Sequence, residues 1–200
     1  VPSIIGAQGT RVRDIDNDGD LDLLATVGVG MLVYRNPGNG MFDVTQESND
    51  IVQSFAEGDV DGDGDVDIVL RGLNDLRLLR NQGASFLASV QITAGATMDV
   101  TLADLDNDQD LDLVALPAFG TVQVFENDGT GSFQLAPSFH IAAASPPTEV
   151  LAGDYDRDGR CDLVVGNLSA DMELLRNVGN RSFVGTAIPN TASHLPAHLA

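Results

Sequence analysis

Nine residues, Asp14-Ile15-Asp16-Asn17-Asp18-Gly19-Asp20-Leu21-Asp22, carry five carboxylates at alternate positions. In a plain strand or helix these groups only repel one another, so the segment calls for a positive charge among them. A hard divalent cation fits, since calcium takes about six to eight oxygen ligands from carboxylates, carbonyls and water. The same nine-residue pattern returns at Asp59–Asp67, Asp104–Asp112 and Asp154–Asp162. Whatever fold the chain adopts must present four such loops in equivalent surroundings.

Other landmarks repeat in phase with the loops. The first Asp of each loop is separated from the next by 45, 45 and 50 residues. Each loop is followed by an apolar alternating run ending in Asn: Met31–Asn36, Leu76–Asn81, Val122–Asn127 and Met172–Asn177. A Gly-rich turn ending in Phe comes next, at Phe42, Phe86, Phe133 and Phe183. Within a unit the sequence reads as short strands bounded by Gly, Asn and Asp. In the second unit the expected strands are Ser54–Asp59, Asp67–Leu70, Leu76–Arg80 and Phe86–Ile92. No segment holds a helical period. Four strands per unit of about 45 residues is the arithmetic of a β-propeller blade. The expected fold is all-β, with blades at about 3–46, 51–92, 97–140 and 148–188. Residues 189–200 then begin a fifth blade or form a closing strand. The third unit is five residues longer than the first two, with the extra length placed in Ser138–Glu149.

Numbered from the first Asp, loop positions 1, 3, 5 and 9 are always Asp: Asp14, Asp16, Asp18, Asp22; Asp59, Asp61, Asp63, Asp67; Asp104, Asp106, Asp108, Asp112; Asp154, Asp156, Asp158, Asp162. These are the candidate metal ligands. Position 7 is Asp20, Asp65, Asp110 or Arg160. A position that accepts Arg is expected to offer its backbone carbonyl. Position 6 is Gly19, Gly64 or Gly159, where a sharp turn favours positive φ. Gln109 takes that place in the third loop, at a cost of about 1 kcal/mol in a left-handed conformation. The third site is therefore expected to be the weakest of up to four calcium sites. The apolar position 8 (Leu21, Val66, Leu111, Cys161) is expected to tuck under the loop and anchor it, which makes Cys161 a packing residue instead of a nucleophile. An EF-hand is excluded, because Ala25, Leu70, Ala115 and Val165 stand where its twelfth-position carboxylate would be. Zinc lacks a Cys/His cluster, and magnesium favours smaller, wetter sites.

The formal net charge is −20, and 19 of the 30 acidic residues lie in the four loops. The acidity is thus mostly a metal signal, and it argues against nucleic acid or anionic membranes as partners. An apolar content of 43% supports a real core. Cys161 is the lone cysteine, so no intrachain disulfide forms. No apolar run is long enough for a transmembrane helix, and no signal peptide opens the chain. Val1 in place of an initiator Met reads as a mature product or an excised fragment.

The Asp-x-Asp-x-Asp-Gly-x-x-Asp-Leu/Ile loop, followed by an Asn-x-Gly-x-Gly-x-Phe turn, resembles the FG-GAP/VCBS repeats of integrin α-subunit propellers, bacterial surface proteins and a fungal propeller lectin. The resemblance covers about 14–200. It implies a seven- or eight-bladed propeller, of which four repeats are present, or a half-propeller that dimerises. It also implies structural calcium between the first and second strands of each blade, with ligands on the opposite face. Calcium loops of this kind place the protein outside the cell, secreted or at the cell surface. The literal Phe-Gly-Gly-Ala-Pro signature is missing, so the likeness is to the VCBS branch.

The expected function is a calcium-stabilised module for binding protein or carbohydrate in adhesion. The alternatives are a lectin or the propeller domain of a polysaccharide-degrading enzyme of lyase type. No catalytic constellation stands out. His140, His194 and His198 are unduplicated, and the chain contains no Lys. Arg71, Asn74, Asp75, Phe119, Asn167 and Asp171 are candidates for the ligand face, being polar or aromatic in turns that vary between repeats. Asn167-Leu168-Ser169 and Asn180-Arg181-Ser182 match the N-glycosylation triplet, which also arises by chance. An incomplete propeller is expected to self-associate through apolar flanks near Ile4, Ile5 and Leu195.

Overall fold

The structure is a computed structural model. It describes residues 7–83, 85–118, 121–136, 141–142, 147–168, 172–180 and 182–188. Phe119, Asp171, Ile4, Ile5, Leu195 and the three histidines lie outside the described residues. So do most of Ser138–Glu149 and residues 189–200.

The described elements are all strands, in four antiparallel sheets. The first sheet holds β1 (Ala7–Arg13), β2 (Asp22–Val27), β3 (Met31–Arg35) and β4 (Asp43–Ser48), paired in that order. The second holds β5 (Ser54–Gly58), β6 (Asp67–Arg71), β7 (Asp75–Leu79) and β8 (Val90–Ala94). The third holds β9 (Thr97–Ala103), β10 (Asp112–Pro117) and β11 (Thr121–Asn127). Its outer place is shared by β12 (Phe133–Leu135) and the two-residue β13 (Ile141–Ala142), both paired with β11. The fourth holds β14 (Pro147–Gly153), β15 (Asp162–Asn167), β16 (Met172–Asn177) and β17 (Phe183–Ile188). This is the all-β, bladed architecture that the repeat arithmetic predicts, and among the described residues the row of sheets is not closed into a ring.

Burial explains which sequence went where. The second strands of the two inner blades, such as Asp67-Ile68-Val69-Leu70-Arg71, are continuous apolar runs because neighbouring blades cover both of their faces. Ile68 and Val69 are fully buried on opposite sides of one strand. The outermost β4 is half exposed and mostly polar, while β17 is nearly all exposed and leaves Val184 and Ile188 at the surface. The core is therefore a series of slabs between blades. Ile15, Leu24, Met31 and Val33 of the first blade meet Phe55, Ile68, Leu70 and Leu79 of the second. Val60, Val69, Leu76 and Leu78 meet Val100, Leu113, Ala115 and Phe125 of the third. Leu105, Val114, Val122 and Val124 meet Val150, Leu163, Val165 and Leu175 of the fourth. A smaller cluster of Ala25, Leu32 and Tyr34 lies on the other face of the first blade.

Two local expectations change. The fourth strand of the second blade begins at Val90 instead of Phe86, and Phe86 makes only an isolated bridge to Asn81. Its ring packs against the slab between blades one and two, which takes it out of line with the strand. Position 8 of the loops also does not tuck under its own loop. Val66, Leu111 and Cys161 pack against the slab shared with the preceding blade. Leu21, in the first blade, is 60% exposed. The anchoring is real, but it runs between blades.

Candidate metal centres

Each Asp loop joins the first and second strands of its sheet, and position 9 (Asp22, Asp67, Asp112, Asp162) is the first residue of the second strand. The turn of the third and fourth strands lies at the same end. The turn between the second and third strands lies at the other.

Hydrogen bonds shape the loops in the same way four times. The position 1 carboxylate accepts two backbone N–H groups. Asp59 takes those of Gly62 and Gly64 at 2.8 and 2.9 Å, and Asp104 takes those of Asn107 and Gln109 at 2.7 and 3.0 Å. Asp14 and Asp154 accept the N–H groups of positions 5 and 6. The position 5 carboxylate accepts the N–H of position 7 in every loop. Folding the chain around two of its own carboxylates requires left-handed residues. At position 6, Gly19, Gly64, Gln109 and Gly159 have φ of +92°, +91°, +80° and +85°. Position 4 shares the requirement (Asn17, Gly62, Asn107, Arg157), which the sequence reading missed.

Position 9 is a cap as much as a ligand candidate. These four Asp residues are at most 1% exposed. One oxygen accepts the N–H of position 2 (Ile15, Val60, Leu105, Tyr155), and the other accepts the N–H of the Asn ending the third strand (Asn36, Asn81, Asn127, Asn177). Burial pushes the carboxyls of Asp67 and Asp112 up to about 6, against the pull of those N–H groups.

Carboxylate oxygens gather within 4.8 Å of one another in every loop. They come from Asp14, Asp16 and Asp18; Asp59, Asp61 and Asp67; Asp104, Asp106 and Asp108; and Asp154, Asp156 and Asp162. Positions 1 and 3 are in all four groups. Asp22, Asp63, Asp112 and Asp158 stand in their loops outside these closest groups. Position 7 is in none. Asp20, Asp65 and Asp110 instead lie beside Gly38, Gly83 and Gly129 of the adjoining turn, and Arg160 donates to the Asn177 carbonyl at 2.7 Å. That geometry suits a position 7 that offers its carbonyl.

The residues fit a hard cation. Asp16 Oδ1 and Asp61 Oδ1 are buried with no hydrogen-bond partner, and a buried orphan oxygen is costly without one. Burial and the neighbouring carboxylates raise both carboxyls above the ordinary range. An Arg at the end of the third strand is a nearby cation in three loops, and in the fourth Arg160 also pairs with Asp158. Arg35, Arg80 and Arg176 lie 3.9 Å from Asp16, Asp61 and Asp156. Glu126 replaces it in the third blade. A bound calcium would supply Coulomb attraction and ordering, with positions 1, 3, 5 and 9 as side-chain ligands and position 7 as a carbonyl ligand. Cys161 is half-buried, and burial pushes its thiol up to about 11, far from a reactive thiolate.

At the other end, Arg71 is committed to the fold. It donates to Ser54 Oγ and Gln53 Oε1 at 2.8 Å and to the Thr97 carbonyl at 2.5 Å. It is therefore a strut between blades and not an open ligand contact. Asn74 and Asp75 line a surface cavity of about 460 Å³ with Leu73, Arg77 and Gln91. Arg77 pairs with Asp75 at 2.6 Å and also with Asp50. Asn167 ends β15 and keeps a buried Oδ1 without a hydrogen-bond partner.

The FG-GAP-like repeat model matches residues 59–115 and 104–165. No curated protein matches the sequence. Among solved structures, the chain is similar to an Agrocybe aegerita lectin that recognises non-reducing terminal N-acetylglucosamine. That match has 21% identity and a TM-score of 0.64, covering 88% of this chain and 50% of that one. A second similar structure is BBS1N in complex with ARL6DN, soaked with lead, at 9% identity and a TM-score of 0.65, covering 92% and 54%. At these identities the likeness concerns the fold, and the chain spans about half the length of either structure. The loop motif, the bladed sheets and a family model spanning more than half of the sequence agree, and the chain belongs to the FG-GAP-like repeat family.

Proposed function

We propose that the chain is a calcium-stabilised extracellular β-propeller module that binds protein or carbohydrate and performs no chemistry of its own. The observation that carries the calcium part is the orphaned, buried oxygen of Asp16 and Asp61 inside a carboxylate cluster that positions 1 and 3 build in all four loops. Each loop would be self-repelling without a cation, so binding and local folding are one event. The loops occupy one end of the blades, hold their own side chains in backbone hydrogen bonds, and leave the other end for a ligand. The cavity beside Asn74, Asp75 and Arg77 lies at that other end and combines exposed Ile51 and Leu73 with charged groups. Such a mixture of apolar and polar lining suits a sugar or a peptide. The lectin of similar fold makes a sugar the first ligand class to test. An extracellular setting supplies millimolar calcium, and the chain's acidity disfavours nucleic acid. Among the described residues no helix is long and apolar enough to cross a membrane.

The test is a glycan array and an extracellular-protein array, each with calcium and with a chelator, alongside thermal melts. Calcium-dependent stabilisation with binding abolished by Asn74→Ala and Asp75→Ala is the expected result. A melting temperature indifferent to calcium would overturn the metal reading. Calcium-stabilised protein that captures nothing on either array would overturn the binding reading.

A further inference from the structure

The Asn that ends each third strand touches more than its own blade. Asn81 donates its backbone N–H to Asp67 at 2.7 Å and one side-chain N–H to the Val66 carbonyl at 3.2 Å. Its side-chain amide also reaches the Ile15 carbonyl of the preceding loop at 2.6 Å. Asn127 repeats this with Asp112, Leu111 and, in the preceding loop, Val60 at 2.7 Å. Asn177 repeats it with Asp162, Cys161 and, in the preceding loop, Leu105 at 2.8 Å. All three are at most 6% exposed.

The chemistry is specific. An Asn amide carries two N–H donors on a short stem, enough to hold two carbonyls at once. Asp has no donor, and Gln is one carbon too long for the same reach. The captured carbonyl belongs to loop position 2, between the position 1 and position 3 carboxylates that come together in every cluster. Fixing that peptide fixes the relative aim of two ligands. The same Asn is held through its backbone by position 9 of its own loop.

We propose that Asn81, Asn127 and Asn177 are positioning residues, each shared by two metal loops, so that the four centres are linked in series. A cation that orders one loop also fixes the Asn that aims the ligands of the loop before it. The neighbour then loses less conformational entropy on binding, which is positive cooperativity. The two ends of the row differ. Among the described residues the Asn36 side-chain amide donates only to its own Leu21 carbonyl, at 3.3 Å. No amide among the described residues captures the Tyr155 carbonyl. The fourth loop is thus the least supported. The inference rests on calcium being the bound cation.

Calcium titration by isothermal calorimetry of wild type, Asn36→Ala and Asn127→Ala tests it. Asn127→Ala should weaken two sites by about five- to tenfold, the amount one buried hydrogen bond supports, and Asn36→Ala only one. Four independent sites, with each variant changing a single one, would overturn the proposal while leaving the calcium reading intact. A wild type that binds no calcium would overturn both. Should Asn127→Ala fail to fold, Asp106→Asn disables the third loop from its surface. Hydrogen exchange at limiting calcium should then quicken at Gly64 and Gly159, in the neighbouring loops, and stay unchanged at Gly19. Equal exchange at all three glycines, relative to wild type, would overturn the linkage.

Discussion

The second and third loops have nearly the same skeleton and different decoration. Asp59 and Asp104 accept the same pair of backbone N–H groups, and Asp67 and Asp112 cap the same two strands. Burial pushes both caps up to about 6. Yet Gly64 becomes Gln109, still left-handed at φ +80°. The cationic neighbour Arg80 becomes Glu126. Asp110 is raised by desolvation first and then by Asp108, Asp104, Asp106 and Asp128. The comparison teaches that the loop shape is held by carboxylate-to-backbone hydrogen bonds. Glycine and arginine tune strain and charge on top of that shape. A non-glycine at position 6 is tolerated because the position 1 carboxylate holds the Gln109 N–H at 3.0 Å.

The largest effect separates cap from ligand. Asp67→Ala and Asp112→Ala each strand two backbone N–H groups, and each should cost on the order of 3 kcal/mol in chelator and in calcium alike. Chemical denaturation read under both conditions checks this. A loss confined to calcium would make position 9 a ligand only.

Next, Asp61→Asn and Asp106→Asn remove a position 3 ligand from the two loops. Both should leave the chelator melting temperature nearly unchanged and cut the calcium-induced rise in melting temperature. Paired thermal scans in calcium and chelator decide it. A fall of equal size in chelator would assign position 3 to the fold.

The pH dependence should be shared by the two loops. A carboxyl raised in the folded state stabilises the metal-free fold below the unfolded value near 3.8 and loses that contribution as pH rises through about 6. The chelated protein should therefore melt higher at pH 5 than at pH 7.5. Calcium affinity should instead fall as pH is lowered through the same interval, because protons then compete for the ligands. Melting curves and calorimetric titrations at both pH values test the two signs.

The smallest effects exchange the decoration. Gln109→Gly should stabilise by about 1 kcal/mol, and Gly64→Gln should destabilise by a similar amount. Glu126→Arg should weaken calcium binding at the third loop by a factor of a few, within the range of a partly exposed ion pair. Gly64→Gln without effect on stability would show that the loop relaxes where the third one does not.

Much of the fold was legible because the Asp loop, the Asn-ended strand and the Gly-rich turn recur in phase. Four units that cannot bury their apolar faces alone must stack. The second strands of the inner blades read as unbroken apolar runs because both faces are covered. Phe86 misled, since a Phe beside Leu87 reads as a strand start, and only the slab between blades shows that its ring belongs there. Position 8 misled for a related reason. A Leu, Val or Cys between carboxylates reveals that something apolar is near without revealing which blade supplies it. Arg71 looked like an open turn residue; strand pairing within its own sheet brings it Ser54 and Gln53, and the stacking of the next blade brings the Thr97 carbonyl.

The sequence by itself determined the local chemistry of this protein. Alternating carboxylates at this density call for a tight loop that gathers their oxygens, and glycines or their stand-ins must turn that loop. Those constraints act over nine residues and need no tertiary context. The tertiary structure alone decided what lies across a blade boundary. The Asn81, Asn127 and Asn177 amides end on carbonyls 66 to 72 residues away. No local pattern encodes such a partner, because it exists only once two sheets have packed and their buried amides must be satisfied.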